Sequence, residues 1–598
     1  MPRIFALFLL LGLTFFGLSY APFWNPDEGR YAGASYEMAF TLSGAENVYG
    51  QGPDWLVPHL NTMTRLNKPP LIYWGSAGAF SLFGPSEWAG RLAPATGAAI
   101  VLLLLYFWGK RAFGVRAGIG AALVWTTAIF CAAMGRTANT DMLLCAAMWI
   151  AAFGIFFAVE SPKKLLFGAV AGVGMGLALL AKGPVGMALP LVAAFLYLGV
   201  SRSWKKAPWG ALGVAFLVAF AVGLPWYFAV EMRRPGFIER FIFEENLGRF
   251  SGEEAFHKAS PFWFYVPVVV VGLLPWAGFL IPALSRWRED DDLAARTRVF
   301  AATWAFFIIG FFSLSSTKLI SYILPAFPAL ALLVGICLAD WPKYGRFVRG
   351  AAVAFTLFLN LVLVVAVSGF PKRDRQTREW KIAPGVLLDN KVWSSEKGAP
   401  WVWGIAALMA TSSALLLLAN RRPNGKTLIL AHGASSGATV IFILFLAGEI
   451  AKYEDVSGIL KPLQSQLKPE DRVVGYRAFA PAAMFYFGRP VTWFHFKNTS
   501  GLIPAELEKS PYFYLLDGEN DLEAWQEKQP KTGRTFVITR GFLDEEHRPN
   551  YVEWIRNNDF FVYANAPKPA DFNESHVAPR KVDAPEVFGQ PKPESLKD

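Results

Sequence analysis

Long apolar segments constrain this chain more than any other feature of its sequence. A helix of about 20 mostly apolar residues spans the hydrocarbon core of a bilayer. About thirteen segments meet this description, and they lie near residues 4–21, 89–108, 117–134, 142–159, 166–181, 185–200, 209–229, 264–284, 299–314, 319–339, 350–369, 401–419 and 427–449. The segments predict an all-α polytopic membrane protein.

The composition agrees with this prediction and excludes other classes of protein. Hydrophobic residues make up 54% of the chain and charged residues 17%, whereas about 25% of the residues of a soluble domain are charged. The three cysteines, Cys131, Cys145 and Cys337, lie inside apolar segments, so we expect neither a disulfide framework nor a cysteine-based metal site. The net charge of +11 comes from basic residues in short loops, where they set topology. We therefore expect no binding to nucleic acid.

Lysine and arginine cluster in alternate loops, and the positive-inside rule assigns those loops to the cytoplasm. The clusters are Lys110, Arg111 and Arg116; Lys163 and Lys164; Arg202, Lys205 and Lys206; Arg286, Arg288, Arg296 and Arg298; Lys343, Arg346 and Arg349; and Arg421, Arg422 and Lys426. The segments 22–88 and 230–263 and everything after about residue 450 then lie outside. The loop 370–400 disagrees, because it is also assigned to the outside and yet has four basic residues.

The chain divides into a transmembrane domain, a small polar domain and a tail. Residues 1–450 contain the apolar segments, with the two long outer loops at 22–88 and 230–263. Residues 451–565 alternate short apolar runs, such as 472–476 and 535–539, with helical and turn stretches, a pattern typical of a small α/β domain. Residues 566–598 are rich in Pro, Lys, Asp and Glu, and we expect them to be disordered.

The first outer loop contains the most informative motif, Trp24-Asn-Pro-Asp-Glu-Gly-Arg-Tyr-Ala32. Pro26 favours a helix start, which would put Asp27 and Glu28 in a first turn where negative charge is stabilised. A structural role as a helix cap is therefore open for Asp27. Ionisable groups at membrane level are also costly and often functional, so a catalytic role is open as well.

Further polar turns emerge on the same side of the membrane. Asp141 follows Arg136 in the turn between the third and fourth segments, and a simple cap would explain it. Lys182 and Lys318 lie at the ends of apolar segments, where snorkelling to the interface would explain them. Because these turns share one side, we predict that a single cavity contains Asp27, Arg30, Lys68, Asp141 and Lys318.

These motifs together resemble a known family. The runs Pro26-Asp-Glu-Gly-Arg-Tyr-Ala32, Asp54-Trp-Leu-Val-Pro58, Asn67-Lys-Pro-Pro70 and Thr140-Asp-Met-Leu143 are similar to those of the bacterial lipid-to-lipid glycosyltransferases. The resemblance is to the ArnT-like branch (aminoarabinose lipid A transferase-like) of the protein-mannosyltransferase superfamily. It extends through 257–265 and 316–325 and covers nearly the whole chain, and it implies the GT-C architecture with a C-terminal periplasmic domain.

The resemblance also implies a function and roles for residues. The donor would be a sugar on a polyprenyl phosphate, and the acceptor an envelope lipid such as lipid A, or another glycan or lipid, at the periplasmic face of the inner membrane. Transfer would invert the anomeric carbon. Asp27 matches the essential aspartate of the family and Asp141 its second acidic residue. The residues expected at the donor phosphate are Arg30, Lys68, Tyr322 and Lys318, and further candidates for the cavity are Glu28, Arg136, Lys182 and His257.

The chain departs from the family at a metal site. The family's well-described member binds a metal through a glutamate directly before the lysine and through a histidine. Here His257 is present but Asn67 precedes Lys68, and an amide is a weak zinc ligand compared with carboxylate or imidazole. We therefore predict no tightly bound zinc at His257, and apart from the lipid-linked sugar donor the sequence indicates no certain cofactor.

The chemistry needs a stabilised leaving phosphate, for which Lys68 and Arg30 can supply charge-assisted hydrogen bonds. An acceptor hydroxyl needs a base, and Asp27 is the first candidate with Asp141 in reserve. An acceptor that is already ionised needs none, and Asp27 would then position it or stabilise a cationic sugar ring.

Two other functions are open. A protein O-glycosyltransferase of the same superfamily would have the same motifs. A transporter or flippase is less favoured, because carriers place ionisable groups near the midplane, often in related halves, and no internal repeat is evident here.

Overall fold

A computed structural model describes most of the chain. The described residues are 2–42, 53–243, 260–285, 293–368, 370–373, 380–383, 395–421, 424–495, 512–515, 521–540, 543, 550–557, 559–570 and 572. They form two compact units, which we treat separately. The first unit comprises residues 1–18, 66–75 and 91–444, and the second comprises 19–65, 76–90 and 445–598.

Most of the described residues are helical. The α-helices are α1 (Pro2–Phe15), α2 (Asp27–Ala39), α3 (Leu71–Phe83), α4 (Glu87–Phe113), α5 (Val115–Thr127), α6 (Ile129–Met134), α7 (Thr140–Glu160), α8 (Lys164–Lys182), α9 (Pro184–Val200), α10 (Trp209–Arg233), α11 (Phe237–Ile242), α12 (Tyr265–Gly272), α13 (Leu280–Ser285), α14 (Leu293–Leu314), α15 (Phe327–Ala339), α16 (Arg346–Ser368), α17 (Ser395–Arg421), α18 (Gly425–Glu454), α19 (Ser457–Leu463), α20 (Ala482–Phe487) and α21 (Asp521–Glu527). A 3₁₀ stretch, Ile320–Ala326, leads directly into α15.

Every predicted apolar segment overlaps a helix, which confirms the predicted fold class. Within the described ranges, nine helices are long and apolar enough to cross a membrane, and a bent pair makes a tenth. Shorter apolar helices are Ile4–Phe15, Leu71–Phe83 and Pro184–Val200. Leu71–Phe83 falls within the predicted outer loop 22–88, where no apolar helix is expected from the sequence. The count of about thirteen spans stays a prediction.

Two of the predicted segments are not straight helices. Segment 264–284 bends by 112° between Phe262–Gly272 and Ala277–Ser285, and Pro275, which has no N–H group for a helical hydrogen bond, lies in the break. Segment 117–134 is interrupted at Ala128, whose backbone is extended. The next amide, that of Ile129, donates to the carbonyl of Leu274 in the bend at 3.1 Å. The hydrogen bond therefore pairs an amide left free by one break with a carbonyl left free by the other.

Helices α7, α8 and α10 of the first unit approach closely because small residues line their contacts. A Cβ atom added to Gly172 of α8 would lie 2.7 Å from Cβ of Val218 in α10. Small residues at every fourth position allow this approach between membrane helices. The facing pairs between α8 and α10 are Gly168 with Ala211, Gly172 with Ala215, and Gly176 with Ala219.

The second unit contains a mixed six-stranded sheet. Its strands are β5 (Arg472–Tyr476), β6 (Thr492–His495), β7 (Phe513–Leu515), β8 (Thr535–Arg540), β9 (Val552–Arg556) and β10 (Phe560–Ala564). The order is β7-β6-β5-β8-β10-β9, with parallel pairing from β7 to β8 and antiparallel pairing beyond. The sheet confirms the predicted α/β character of the C-terminal region. Two further sheets have two strands each: β1 (His59–Leu60) pairs with β2 (Met63–Thr64), and β3 (Phe370–Arg373) pairs with β4 (Trp380–Ala383).

Much of the first outer loop belongs to this second unit. Helix α2 packs against α20, and a Cβ atom at Gly29 would come within 2.6 Å of the backbone nitrogen of Ala482. Glycine is therefore the residue that fits at this crossing. The segment before β6 and the β1–β2 turn are also joined, because Asn61 Nδ2 donates to the carbonyl of Val491 at 2.9 Å and Val491 N donates to Asn61 Oδ1 at 2.9 Å.

Candidate active site

The first unit brings Asp141 and Lys182 together. Asp141 lies in the first turn of α7, and its amide donates to the side chain of the N-cap residue Asn139 at 3.0 Å. Lys182 is the last residue of α8. The Lys182 ammonium forms an ion pair with the Asp141 carboxylate, and the two side chains are only 17% and 14% exposed. Asp141 therefore neutralises a buried cation, and its amide, not its carboxylate, takes part in the helix cap.

Other polar groups complete this cluster. The Ser321 hydroxyl donates to the Asp141 carboxylate, and Lys68 is among the positive charges that act on it. The Tyr322 ring lies 4.6 Å from the Lys182 nitrogen, a distance typical of a cation–π contact. The cluster thus brings two lysines to one carboxylate, and lysine ammonium groups form charge-assisted hydrogen bonds with phosphate oxygens.

Lys318 lies in the turn before this 3₁₀ stretch and binds backbone groups. Its ammonium donates to the carbonyl of Ser315 at 2.7 Å and to that of Ser260 at 3.1 Å. The Tyr265 hydroxyl donates to the adjacent carbonyl of Leu319 at 3.0 Å. Lys318 thus joins the turn after α14 to the segment that leads into α12.

The second unit contains Asp27 and Arg30, which form an ion pair of 2.6 Å within the first turn of α2. The Asp27 side chain is 78% exposed, whereas that of Arg30 is 18% exposed. Burial lowers the pKa of Arg30, and the positive charge of Arg65 acts in the same direction. The Asp27 carboxylate is therefore accessible to a substrate while its partner is fixed.

Two further candidates bind backbone groups. Glu28 is buried, and its Oε2 accepts from the amide of Trp24 at 3.0 Å. The Arg136 guanidinium donates to the carbonyls of Ala132 at 2.7 Å and Phe16 at 2.9 Å, and also to that of Leu13. Arg136 thereby satisfies carbonyls at the end of α1. Glu28 and Arg136 therefore stabilise the conformation of the nearby backbone.

The donor atoms in the described part of the chain do not fit a zinc site. His257 lies outside the described residues. Asn67 contributes a buried amide oxygen that has no hydrogen-bond partner, but a neutral amide is a weak zinc ligand. The residues that the structure describes contain no group of three or more His, Cys, Asp and Glu side chains able to bind a metal. We derive no chemical step through a metal.

Two residues of these clusters are absent from the sequence-based prediction. Ser321 precedes Tyr322 in the chain and donates to Asp141. Arg65 lies three residues before Lys68, acts electrostatically on Arg30, and approaches the Tyr31 ring at 5.9 Å. Their positions beside predicted residues are the only signal in the sequence that could have indicated them.

The helical membrane unit and the unit with the α/β sheet have the architecture of a polytopic glycosyltransferase of the GT-C type, and the comparisons with known proteins agree. Residues 67–227 match the family model described as dolichyl-phosphate-mannose-protein mannosyltransferase. The undecaprenyl phosphate-α-4-amino-4-deoxy-L-arabinose arabinosyl transferase of Pseudomonas aeruginosa (strain UCBPP-PA14) is 31% identical over 433 residues, which cover 70% of this chain and 75% of that one. The chain belongs to this transferase family.

Two other comparisons agree with this assignment. A second transferase of the same description, number 2 of Sodalis glossinidius, is 34% identical over 439 residues, covering 69% of this chain and 74% of the relative. The crystal structure of ArnT from Cupriavidus metallidurans bound to undecaprenyl phosphate matches with a TM-score of 0.75 at 21% identity. That match covers 96% of this chain and 99% of the other, and it shows the shared fold.

Proposed function

We propose that this protein transfers 4-amino-4-deoxy-L-arabinose from undecaprenyl phosphate to lipid A at the periplasmic face of the bacterial inner membrane. The relatives that are 31% and 34% identical over the aligned regions are named for that donor. The observation that carries the proposal is the cluster of Lys68, Lys182 and Tyr322 around one largely buried carboxylate. Such lysines can form charge-assisted hydrogen bonds with the donor phosphate.

The reaction breaks the bond between the anomeric carbon and the phosphate oxygen, and the electron pair leaves with undecaprenyl phosphate. Lys68 donates to the phosphate oxygens as their negative charge grows, and Arg30 is the second cation that we propose for this role. Tyr322 and Lys318 are the proposed additional contacts to the donor phosphate. The acceptor oxygen forms the new bond from the opposite face, so the anomeric carbon inverts.

Asp27 is the proposed residue for the acceptor. An acceptor hydroxyl loses its proton as it attacks, and an exposed carboxylate can take that proton. A lipid A phosphate is already ionised and needs no base, and Asp27 then orients the acceptor or stabilises the cationic sugar ring. The high exposure of its side chain supports both roles, because a substrate can reach it.

Asp141 has a different proposed role. Its carboxylate is paired with Lys182 and accepts from Ser321, so it has little capacity left to act as a base. The pair keeps the Lys182 ammonium charged and oriented in a partly buried position. We therefore assign Asp141 to orienting the cations of the phosphate site.

The test uses purified protein, undecaprenyl phosphate-linked aminoarabinose and alternative acceptors. Mass spectrometry of the products should find the sugar on lipid A and none on peptides rich in serine and threonine. Transfer to peptide alone would support the protein O-glycosyltransferase alternative. Absence of transfer to every acceptor, with a functional relative active in the same assay, would overturn the proposal.

A further inference from the structure

The side chain of Asn25, two residues before Asp27, uses all of its hydrogen-bonding groups within the second unit. An amide side chain provides an acceptor oxygen and two N–H donors. Asn25 Oδ1 accepts from the amide of Ala482 at 3.0 Å. Its Nδ2 donates to Asp455 Oδ1 at 3.1 Å and to Ser457 Oγ at 2.6 Å. The residue therefore joins the first outer loop to two separate C-terminal segments.

Asp455 is the centre of this network and follows directly after α18. Its Oδ2 accepts from the backbone amide of Asn25 at 2.8 Å, and its Oδ1 accepts from the amide of Ser457 at 2.8 Å. Burial raises the pKa of Asp455, and the hydrogen bonds from Ser457 and Asn25 oppose that effect by favouring the carboxylate. A buried carboxylate with these donors fixes the position of the Asn25 backbone.

The sheet contacts the opposite side of Asp455. Asn557, in the turn between β9 and β10, donates from Nδ2 to the backbone carbonyl of Asp455 at 2.8 Å. Its Oδ1 accepts from the amides of Phe560 at 2.9 Å and Asp559 at 3.2 Å. The network therefore runs from the β9–β10 turn through Asp455 to Asn25.

The first turn of α2 starts from the residues that this network fixes. The amide of Gly29 donates to the carbonyl of Trp24 at 3.3 Å, and that of Arg30 donates to the carbonyl of Pro26 at 3.0 Å. Trp24 and Pro26 flank Asn25, so a displacement of Asn25 is transmitted to the turn that contains Asp27. The exposed Asp27 carboxylate forms its ion pair with Arg30 within this turn.

We propose that Asn25 is a positioning residue for transfer, and that the C-terminal α/β domain sets the geometry of Asp27 through Asp455 and Ser457. The inference rests on the proposed role of Asp27. In this proposal the C-terminal domain contributes to transfer by positioning Asp27, and it need not contact the substrate itself. A displacement of about 1 Å in a catalytic group can reduce turnover about 100-fold.

The experiment compares four forms of the full-length protein in detergent: wild type, Asn25→Asp, the double variant Asn25→Asp with Asp455→Asn, and Asn565→Asp. Asn25→Asp keeps the acceptor for Ala482 and loses the donors, placing two carboxylates against each other. In the double variant, the new amide at position 455 can donate to the new carboxylate, although it has one acceptor oxygen fewer for the amides of Asn25 and Ser457. Asn565→Asp makes the same chemical change in the same unit outside this network, where Asn565 Oδ1 accepts from the amide of Thr535 at 2.8 Å, and serves as the matched control.

Two quantities are measured below the unfolding temperature of every form. The first is turnover with undecaprenyl phosphate-linked aminoarabinose and lipid A, and the second is hydrogen exchange of the amides in residues 27–31. For Asn25→Asp we expect kcat to fall about 10- to 100-fold with the donor KM unchanged, and faster exchange in 27–31. The double variant should regain part of kcat and part of the slow hydrogen exchange, and Asn565→Asp should keep both near wild type.

Other results overturn the inference. A loss in Asn565→Asp equal to that in Asn25→Asp would show a general effect of stability, and a double variant no better than Asn25→Asp would show that the pairing is not the cause. Unchanged kcat with unchanged exchange in Asn25→Asp would also refute it. A wild-type protein that shows the expected exchange pattern but transfers no sugar would refute the proposed function, and would leave the fixed position of the turn intact.

Discussion

Asp27 and Asp141 both lie in the first turn of a helix, yet they have different neighbours. Asp141 is largely buried and paired with Lys182. Asp27 is mostly exposed, and its ion pair is with Arg30 within the first turn of the same helix. A base or an orienting group must reach the acceptor, whereas a largely buried paired carboxylate serves best to keep a cation in place. The difference in surroundings supports the two proposed roles.

For Asp27→Asn we expect normal folding and a loss of activity of about 10²- to 10⁴-fold. Asp27 is the first residue of α2 and follows the N-cap residue Pro26, so its charge stabilises the helix start by only about 0.3–1 kcal/mol through the helix dipole, while an amide can neither accept a proton nor neutralise charge. Transfer kinetics and thermal unfolding of the purified variant measure the two effects separately. Near-normal transfer would exclude an essential catalytic role for Asp27.

For Asp141→Asn we expect lower stability as well as lower activity. Removing one partner of a buried ion pair leaves Lys182 as an uncompensated charge, at a cost of about 3 kcal/mol. The double variant Asp141→Asn with Lys182→Gln removes both charges, so it should regain stability without regaining activity. Thermal unfolding and donor binding provide the comparison. If the double variant transfers sugar at the wild-type rate, this ion pair has no part in catalysis.

At the scale of whole elements, the close approach of α8 to α7 and α10 determines where Lys182 emerges. Gly174 of α8 faces Ala147 and Ala151 of α7, opposite the glycines that face α10. A helix with small residues on two sides packs between its neighbours at short distance, with van der Waals contact as the main attraction. The end of α8 then meets the start of α7, which is where the ion pair forms.

This packing predicts that a glycine-to-alanine substitution has different effects on stability at two positions. Gly172→Ala inserts a Cβ where Val218 already lies, and such overpacking costs about 1–3 kcal/mol. Gly213→Ala, on an open face of α10 with nothing within 4 Å, should be neutral or stabilising by about 0.5–1 kcal/mol. Unfolding temperatures in detergent provide the measurement. Equal temperatures for both variants would contradict the close packing of α8 and α10.

At the scale of the whole molecule, the arrangement of basic loops predicts the topology across the membrane. Single cysteines replacing Lys110 and Lys163 should be protected from an impermeant thiol reagent added outside, because the loops that contain them are predicted to be cytoplasmic. Cysteines replacing Trp55 and Lys528, both exposed side chains, should react. The three native cysteines are buried, so the wild type is the unreactive control. Labelling at position 110 from outside would contradict the predicted orientation.

The apolar helices and strands β5 and β8 of the C-terminal domain could be predicted, because local sequence patterns determine them. A run of apolar residues must satisfy its backbone within the segment when it lies in lipid, so hydropathy alone locates α7, α8 and α10. Alternation of apolar residues likewise indicates β5 and β8. The break at Ala128 was not predictable in this way, since it depends on a hydrogen bond to Leu274 in another segment.

The sequence by itself determined the class of protein, its apolar helices and the C-terminal α/β region, and it supplied the candidates for the site residues, because composition, periodicity and local motifs express these properties residue by residue. Only the tertiary structure decided which of the charged residues pair and which stay accessible. The contacts of Asn25 with Asp455 and of Asn61 with Val491 join residues 430 positions apart in the chain. Such contacts depend on where distant backbones meet in space, and no local pattern of residues encodes that meeting.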